Sequence, residues 1–125
     1  MVTMPEPESD DEAAIVRAVL DYFEGWYDGD PVRMDRALHP DLVKRRLADD
    51  GSGLSATTAK EMIEATERAD GKREDPDERR LEVTVDHVYE TIANVTVMSV
   101  PYAEYVQLVR TKDGWKIVNT LWQRR

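Results

Sequence analysis

Reactive side chains are sparse in this chain of 125 residues, which has two histidines, His39 and His87, and no cysteine. Disulfides, thiolate metal sites and a thiol nucleophile are therefore excluded. An imidazole titrates near neutrality and can serve as a general base. His87 stands in VDHVY, continuing the alternate positions opened by Leu81, Val83 and Val85. If those positions face inward, His87 enters the interior and Asp86 faces away, so the two form no dyad. His39 precedes Pro40-Asp41 at the expected end of a helix, where its ring would cap free carbonyls. Glu104 interrupts an apolar run between Ala103 and Tyr105. It must reach solvent or find a partner, because a buried unpaired carboxylate is costly or protonated.

Other chemistries lack their residues. The two histidines are far apart and no HExxH spacing occurs, so no metal site is expected. Gly51-Ser52-Gly53 has no strand–loop–helix context with a lysine, and Ser52, Ser55 and Ser99 carry no nucleophile signature. The net charge of −9 disfavours nucleic acid as a partner. From Tyr105 to the end the chain is basic, with Arg110, Lys112, Lys116, Arg124 and Arg125 against Asp113 alone. No run approaches the roughly 18 apolar residues of a membrane span. MVTMPEPESDDE has neither the basic start nor the apolar centre of a secretion signal, and a cytoplasmic location is expected.

The elements that must position these groups follow from capping signals and periodicity. Residues 1–8 form a flexible acidic leader, and 9–125 a single domain. Ser9 and Glu12 have capping-box spacing. Ile15, Val16, Val19, Leu20, Tyr22, Phe23, Trp26 and Tyr27 then recur at helical spacing up to Gly29. Asp30-Pro31 restarts a short helix that ends before Pro40. A short strand is expected over Leu42 to Leu47 and a loop over Ala48 to Ala56. A third helix begins at Thr58, with Glu61 completing its box. Asp70 to Arg80 is an exposed connection. From Leu81 onward four strands follow, the last two joined at Asp113-Gly114.

The strands carry large apolar groups in both phases. Trp115, Ile117 and Leu121 share one phase of the last strand, while Val118 and Trp122 share the other. Helices shelter one face of a sheet, so the second face is expected to meet another copy of the chain.

The segments YFEGWYDGD, HPD, TAKE and DGWKIVNTLW together resemble the NTF2-like superfamily. Within it the chain is similar to the family called "Putative lumazine-binding", neighbour to the SnoaL-like proteins, over roughly Asp11 to Gln123. The resemblance implies an α+β fold: a cone of curved antiparallel sheet packed against three N-terminal helices, often dimerising through the sheet. It also implies a cavity for a small hydrophobic or aromatic ligand, with no cofactor. Tyr22, Trp26, Tyr27, His39, Tyr102, Tyr105, Asn119 and Trp122 are the expected lining. Superfamily isomerases and dehydratases pair an Asp or His base with tyrosine hydroxyls or other donors, which implies His87, Asp41 and Glu104 as candidate catalytic bases. Tyr22, Tyr102 and Asn119 are the matching donors. No complete catalytic set of those enzymes maps onto this chain, so binding without turnover is the leading expectation and such an enzyme, or an interaction module, the alternative.

Overall fold

The Ser9 side chain accepts the Glu12 amide at 3.1 Å and opens α1 (Asp10–Asp28). Three acids in the first turn complement the helix dipole. The apolar face expected from periodicity buries Ile15, Val19, Tyr22, Phe23 and Tyr27. Each such side chain contributes roughly 1.5–3 kcal/mol relative to exposure. α1 stops at Gly29, whose φ of 65° lies in the left-handed region that a Cβ would penalise. Asp30 then caps α2 (Pro31–Ala37), accepting the amides of Val32 and Arg33 at 3.0 and 3.2 Å. The structure, a computed structural model, describes residues 2–3 and 9–125.

The remaining elements are β1 (Val2–Thr3), β2 (Leu38–Leu47), β3 (Leu54–Thr58), α3 (Ala59–Glu67), β4 (Leu81–Tyr89), β5 (Ile92–Ser99), β6 (Tyr102–Thr111) and β7 (Gly114–Arg124). A 3-10 turn over Pro76–Arg79 precedes β4. Thr58 and Glu61 form the complete capping box at the head of α3. One seven-stranded sheet runs in the order β1-β4-β5-β6-β7-β2-β3.

This arrangement corrects the expected architecture. The α+β class holds, but the sheet is an open row of mixed direction, not a closed antiparallel cone. β2 runs parallel to β7, and β1 parallel to β4. Nor do three helices precede the sheet, because β2 and β3 separate α2 from α3. The parallel pair is possible because β2 and β7 are joined by a long crossover through α3 and four further strands, and a tight turn cannot join parallel neighbours. Apart from Val2 and Thr3, the leader expected over 1–8 lies outside the described residues. The loop expected to Ala56 is shorter, since β3 begins at Leu54.

Two bulges decide which side chains meet the helices. On β4 the register shifts between Val85 and His87, with Val85 opposite Val95 and His87 opposite Asn94. The extra residue turns His87 to the uncovered face, and Val88 regains the inner one opposite Ala93. On β7 the register shifts at Val118, where Gln107 faces Asn119 and Leu108 faces Ile117. Trp115, Ile117, Thr120 and Trp122 consequently point toward the helices, and Leu121 points away. Some of the apolar content in the second phase is therefore core.

Candidate functional site

Between α1, α3 and the β2–β7–β6 part of the sheet lies a cavity of about 210 Å³. Tyr22, Phe23 and Trp26 of α1 form one wall, and Met62 and Ala65 of α3 another. Lys44, Thr57, Tyr102, Glu104 and Trp122 come from the strands. Tyr102 and Trp122 meet edge to face at 5.2 Å between ring centroids. The volume suits a molecule of one or two rings.

The polar end is a chain of three side chains, of which Tyr22 and Glu104 are buried and Lys44 is 14% exposed. The Tyr22 hydroxyl donates to Glu104 Oε2 at 2.7 Å. Lys44 Nζ donates to the same hydroxyl at 2.5 Å and lies 3.8 Å from Glu104 Oε2. The ammonium also sits 5.1 Å from the ring centroids of both Tyr22 and Trp122, within cation–π range. Glu104 is 1% exposed. At this separation the ionic attraction is on the order of 4 kcal/mol at an effective dielectric near 20. That is comparable with the several kcal/mol lost on desolvating each ion.

Burial wins at the lysine. It holds the Lys44 ammonium below the ordinary lysine range even though the Glu104 carboxylate pulls the other way. Burial, then the charge of Glu104 and its hydrogen bond, push the Tyr22 phenol well above its usual range. The hydroxyl therefore stays protonated and serves as a donor at neutral pH.

Of the sequence-derived candidates, Tyr22, Trp26, Tyr102, Trp122 and Glu104 meet at this cavity. Tyr27 is buried in the core but is not on its wall. His39 follows the C-cap residue Leu38 of α2 and lies within β2, where its Nδ1 accepts the Asp41 amide at 3.0 Å. The Asp41 side chain is 92% exposed. Tyr105, Asn119 and His87 sit on the uncovered face of the sheet. There Asn119 donates to Gln107 and Gln107 to Asn94, at 3.1 and 3.0 Å. The inward orientation expected for His87 fails because of the β4 bulge.

Larger hollows, of about 630 and 430 Å³, lie on that uncovered face. Their charged members Arg45 and Asp86 are exposed, and the one buried polar side chain on their walls, Thr120, points toward the helices. Among the described residues no cluster of three or more His, Cys, Asp or Glu could hold a metal ion. No helix among them is long and apolar enough to cross a membrane.

Phe23, Thr57, Met62 and Ala65 line the cavity without having been singled out as lining residues in the sequence, and Lys44 is the charged site residue that sequence reasoning missed. In LVKRRL it reads as part of a solvated basic run. The available signal was its phase: Lys44 lies two positions from buried Leu42, on the same side of the strand.

Comparison with known proteins agrees with this fold. An NTF2-like protein of unknown function from Silicibacter pomeroyi DSS-3 is 18% identical, with a TM-score of 0.71 over 90% of this chain and 94% of that one. One from Shewanella baltica OS155 is 13% identical, with a TM-score of 0.73 over 97% and 98% of the two chains. An NTF2-like protein "of unknown function in nutrient uptake" from Rhodospirillum rubrum ATCC 11170 is 18% identical, with a TM-score of 0.66 over 93% and 99%. No curated protein matches the chain. The family model described as "Putative lumazine-binding" matches residues 10–123, and the chain belongs to that family.

Proposed function

We propose that this protein binds a small hydrophobic or aromatic molecule in the cavity between α1, α3 and the sheet. The observation that carries the reading is the hydrogen-bonded Lys44–Tyr22–Glu104 chain at the end of an aromatic-walled space. Apolar walls supply affinity, and a few convergent polar atoms fix orientation. The pair Lys44 and Glu104 is balanced in charge, so a neutral ligand with a carbonyl or hydroxyl edge enters at lower cost than an ion. The family description names lumazine, a neutral bicyclic heterocycle with ring carbonyls, which makes it a direct probe. Titration of the isotope-labelled protein with lumazine and single-ring analogues should move the Trp26 and Trp122 indole resonances together. Shifts confined to Tyr105 and Asn119 on the other face, or no shifts with any probe, would refute the reading.

A second copy is the partner we propose for the uncovered face. Tyr105 and Leu121 lie opposite each other on β6 and β7 and are 59% and 51% exposed. Leu54 adds to the same hollow at 64% exposure. Light scattering at micromolar concentration should return twice the monomer mass, and the monomer mass at every concentration would contradict it.

A further inference from the structure

Lys44 is positioned as more than an anchor. Its amine is the terminal member of a hydrogen-bonded chain whose other end is a carboxylate, and all three side chains line one cavity. The remaining lysines, at 60, 72, 112 and 116, are absent from the walls of that cavity. Removing most of the Lys44 side chain from water favours loss of a proton, and this outweighs the opposing pull of the Glu104 carboxylate. Here the acceptor is built in. Lys44 can pass a proton to the Tyr22 oxygen as Tyr22 passes its own to Glu104, leaving a neutral amine, a neutral phenol and a neutral carboxylic acid. No charge has to cross to solvent.

We propose that Lys44 condenses reversibly with a small aldehyde or ketone in this cavity to form an imine. The inference rests on the binding reading above and adds a covalent step to it. The neutral Lys44 nitrogen attacks the carbonyl carbon, and the C=O π pair moves to oxygen, which takes up a proton from the attacking nitrogen. The resulting carbinolamine loses its hydroxyl as water, with the proton supplied by Glu104 through the Tyr22 hydroxyl. The nitrogen lone pair closes the C=N bond. An ammonium, a carboxylate and a carbonyl compound thus become an iminium, a carboxylate and one water, so atoms and charge balance with no oxidant or reductant. The balanced pair also explains why a neutral carbonyl is favoured over a carboxylate ligand, which would add an uncompensated charge. The lowered proton affinity of Lys44 acts in the same direction, because each pKa unit gives about tenfold more free amine at neutral pH.

The test uses the full chain at neutral pH with benzaldehyde, trapped by sodium cyanoborohydride and read by intact mass and peptide mapping. One adduct, of probe mass less one oxygen atom, should map to Lys44 and form at least about tenfold faster than at any surface lysine. Tyr22→Phe and Glu104→Gln should each slow its formation, and Lys44→Arg should abolish it. Benzyl alcohol, which has the same ring but cannot condense, should bind by indole resonance shifts and compete with labelling. Benzyl alcohol binding in the cavity with no preferential adduct at Lys44 would overturn imine formation and leave the binding reading intact. Labelling spread evenly over the surface lysines, undiminished in Lys44→Arg, would also overturn it. Failure of lumazine, benzaldehyde and benzyl alcohol alike to perturb Trp26 or Trp122 would remove both readings together.

Discussion

The Tyr22 hydroxyl and the Glu104 carboxylate, 82 positions apart, meet at 2.7 Å inside the protein, and Lys44 approaches both. A helix, an interior strand and a strand near the sheet's far edge thereby share one buried polar centre. Its energetics follow from what each member loses when a neighbour is removed.

Replacing Glu104 with Ala should destabilise the fold by about 3–5 kcal/mol, because it strands a buried ammonium. Glu104→Gln should cost less, about 1–3 kcal/mol, since an amide still accepts from Tyr22. Joining Lys44→Met to Glu104→Leu should recover much of the loss. Urea unfolding of the three variants measures this. If the double variant is as unstable as Glu104→Ala, the penalty does not come from unpaired charge.

Tyr22 makes a pH-dependent contribution of known sign. Its native pKa is raised, so its contribution is intact below the ordinary tyrosine value near 10 and is lost as pH rises toward the native value. Stability should therefore fall above about pH 10, and the gap between wild type and Tyr22→Phe should narrow there. Lys44, held below its ordinary range, has the opposite slope, which ends near pH 10.4. Ultraviolet titration of the five tyrosines should show Tyr22 ionising only on unfolding.

Asp21 governs the acid side. Burial pushes its carboxyl up, but hydrogen bonds from Arg36 and Arg33 outweigh it and hold the group below the usual carboxylate range. Its contribution is present above the unfolded carboxylate value and lost as pH falls through the native one. Asp21→Asn should thus lower the melting temperature at neutral pH and change it little near pH 2. An equal loss at both pH values would rule out the ionic account.

Trp26 owes its place in the cavity wall to Gly71. A Cβ at position 71 would collide with the Trp26 indole. Gly71→Ala should push that ring, shift the tryptophan emission and weaken binding of lumazine, while leaving the secondary structure unchanged. Circular dichroism and fluorescence together check this.

Leu121→Arg on the uncovered face should abolish self-association without lowering ligand affinity, since that side chain points away from the cavity. Light scattering beside lumazine titration separates the two effects.

Much of this molecule was legible residue by residue. The helix starts at Ser9, Asp30 and Thr58, the stop at Gly29 and the turn at Asp113-Gly114 depend on side chains acting on their own backbone, so short-range chemistry decides them. The aromatic wall on α1 was legible for the same reason, because helical spacing places Tyr22 and Trp26 near one face. Three things needed coordinates. Strand direction was one, since the β2–β7 pairing joins segments distant in sequence and leaves no local trace. The bulges at Asp86 and Val118 were another: each is defined only against a partner strand, yet each reverses every side chain beyond it, sending His87 outward and Trp122 inward. Lys44 was the last. A lysine between valine and arginine reads as solvated until Tyr22 and Glu104, brought from other elements, enclose it. Local chemistry set the elements, and long-range packing chose which charges left water.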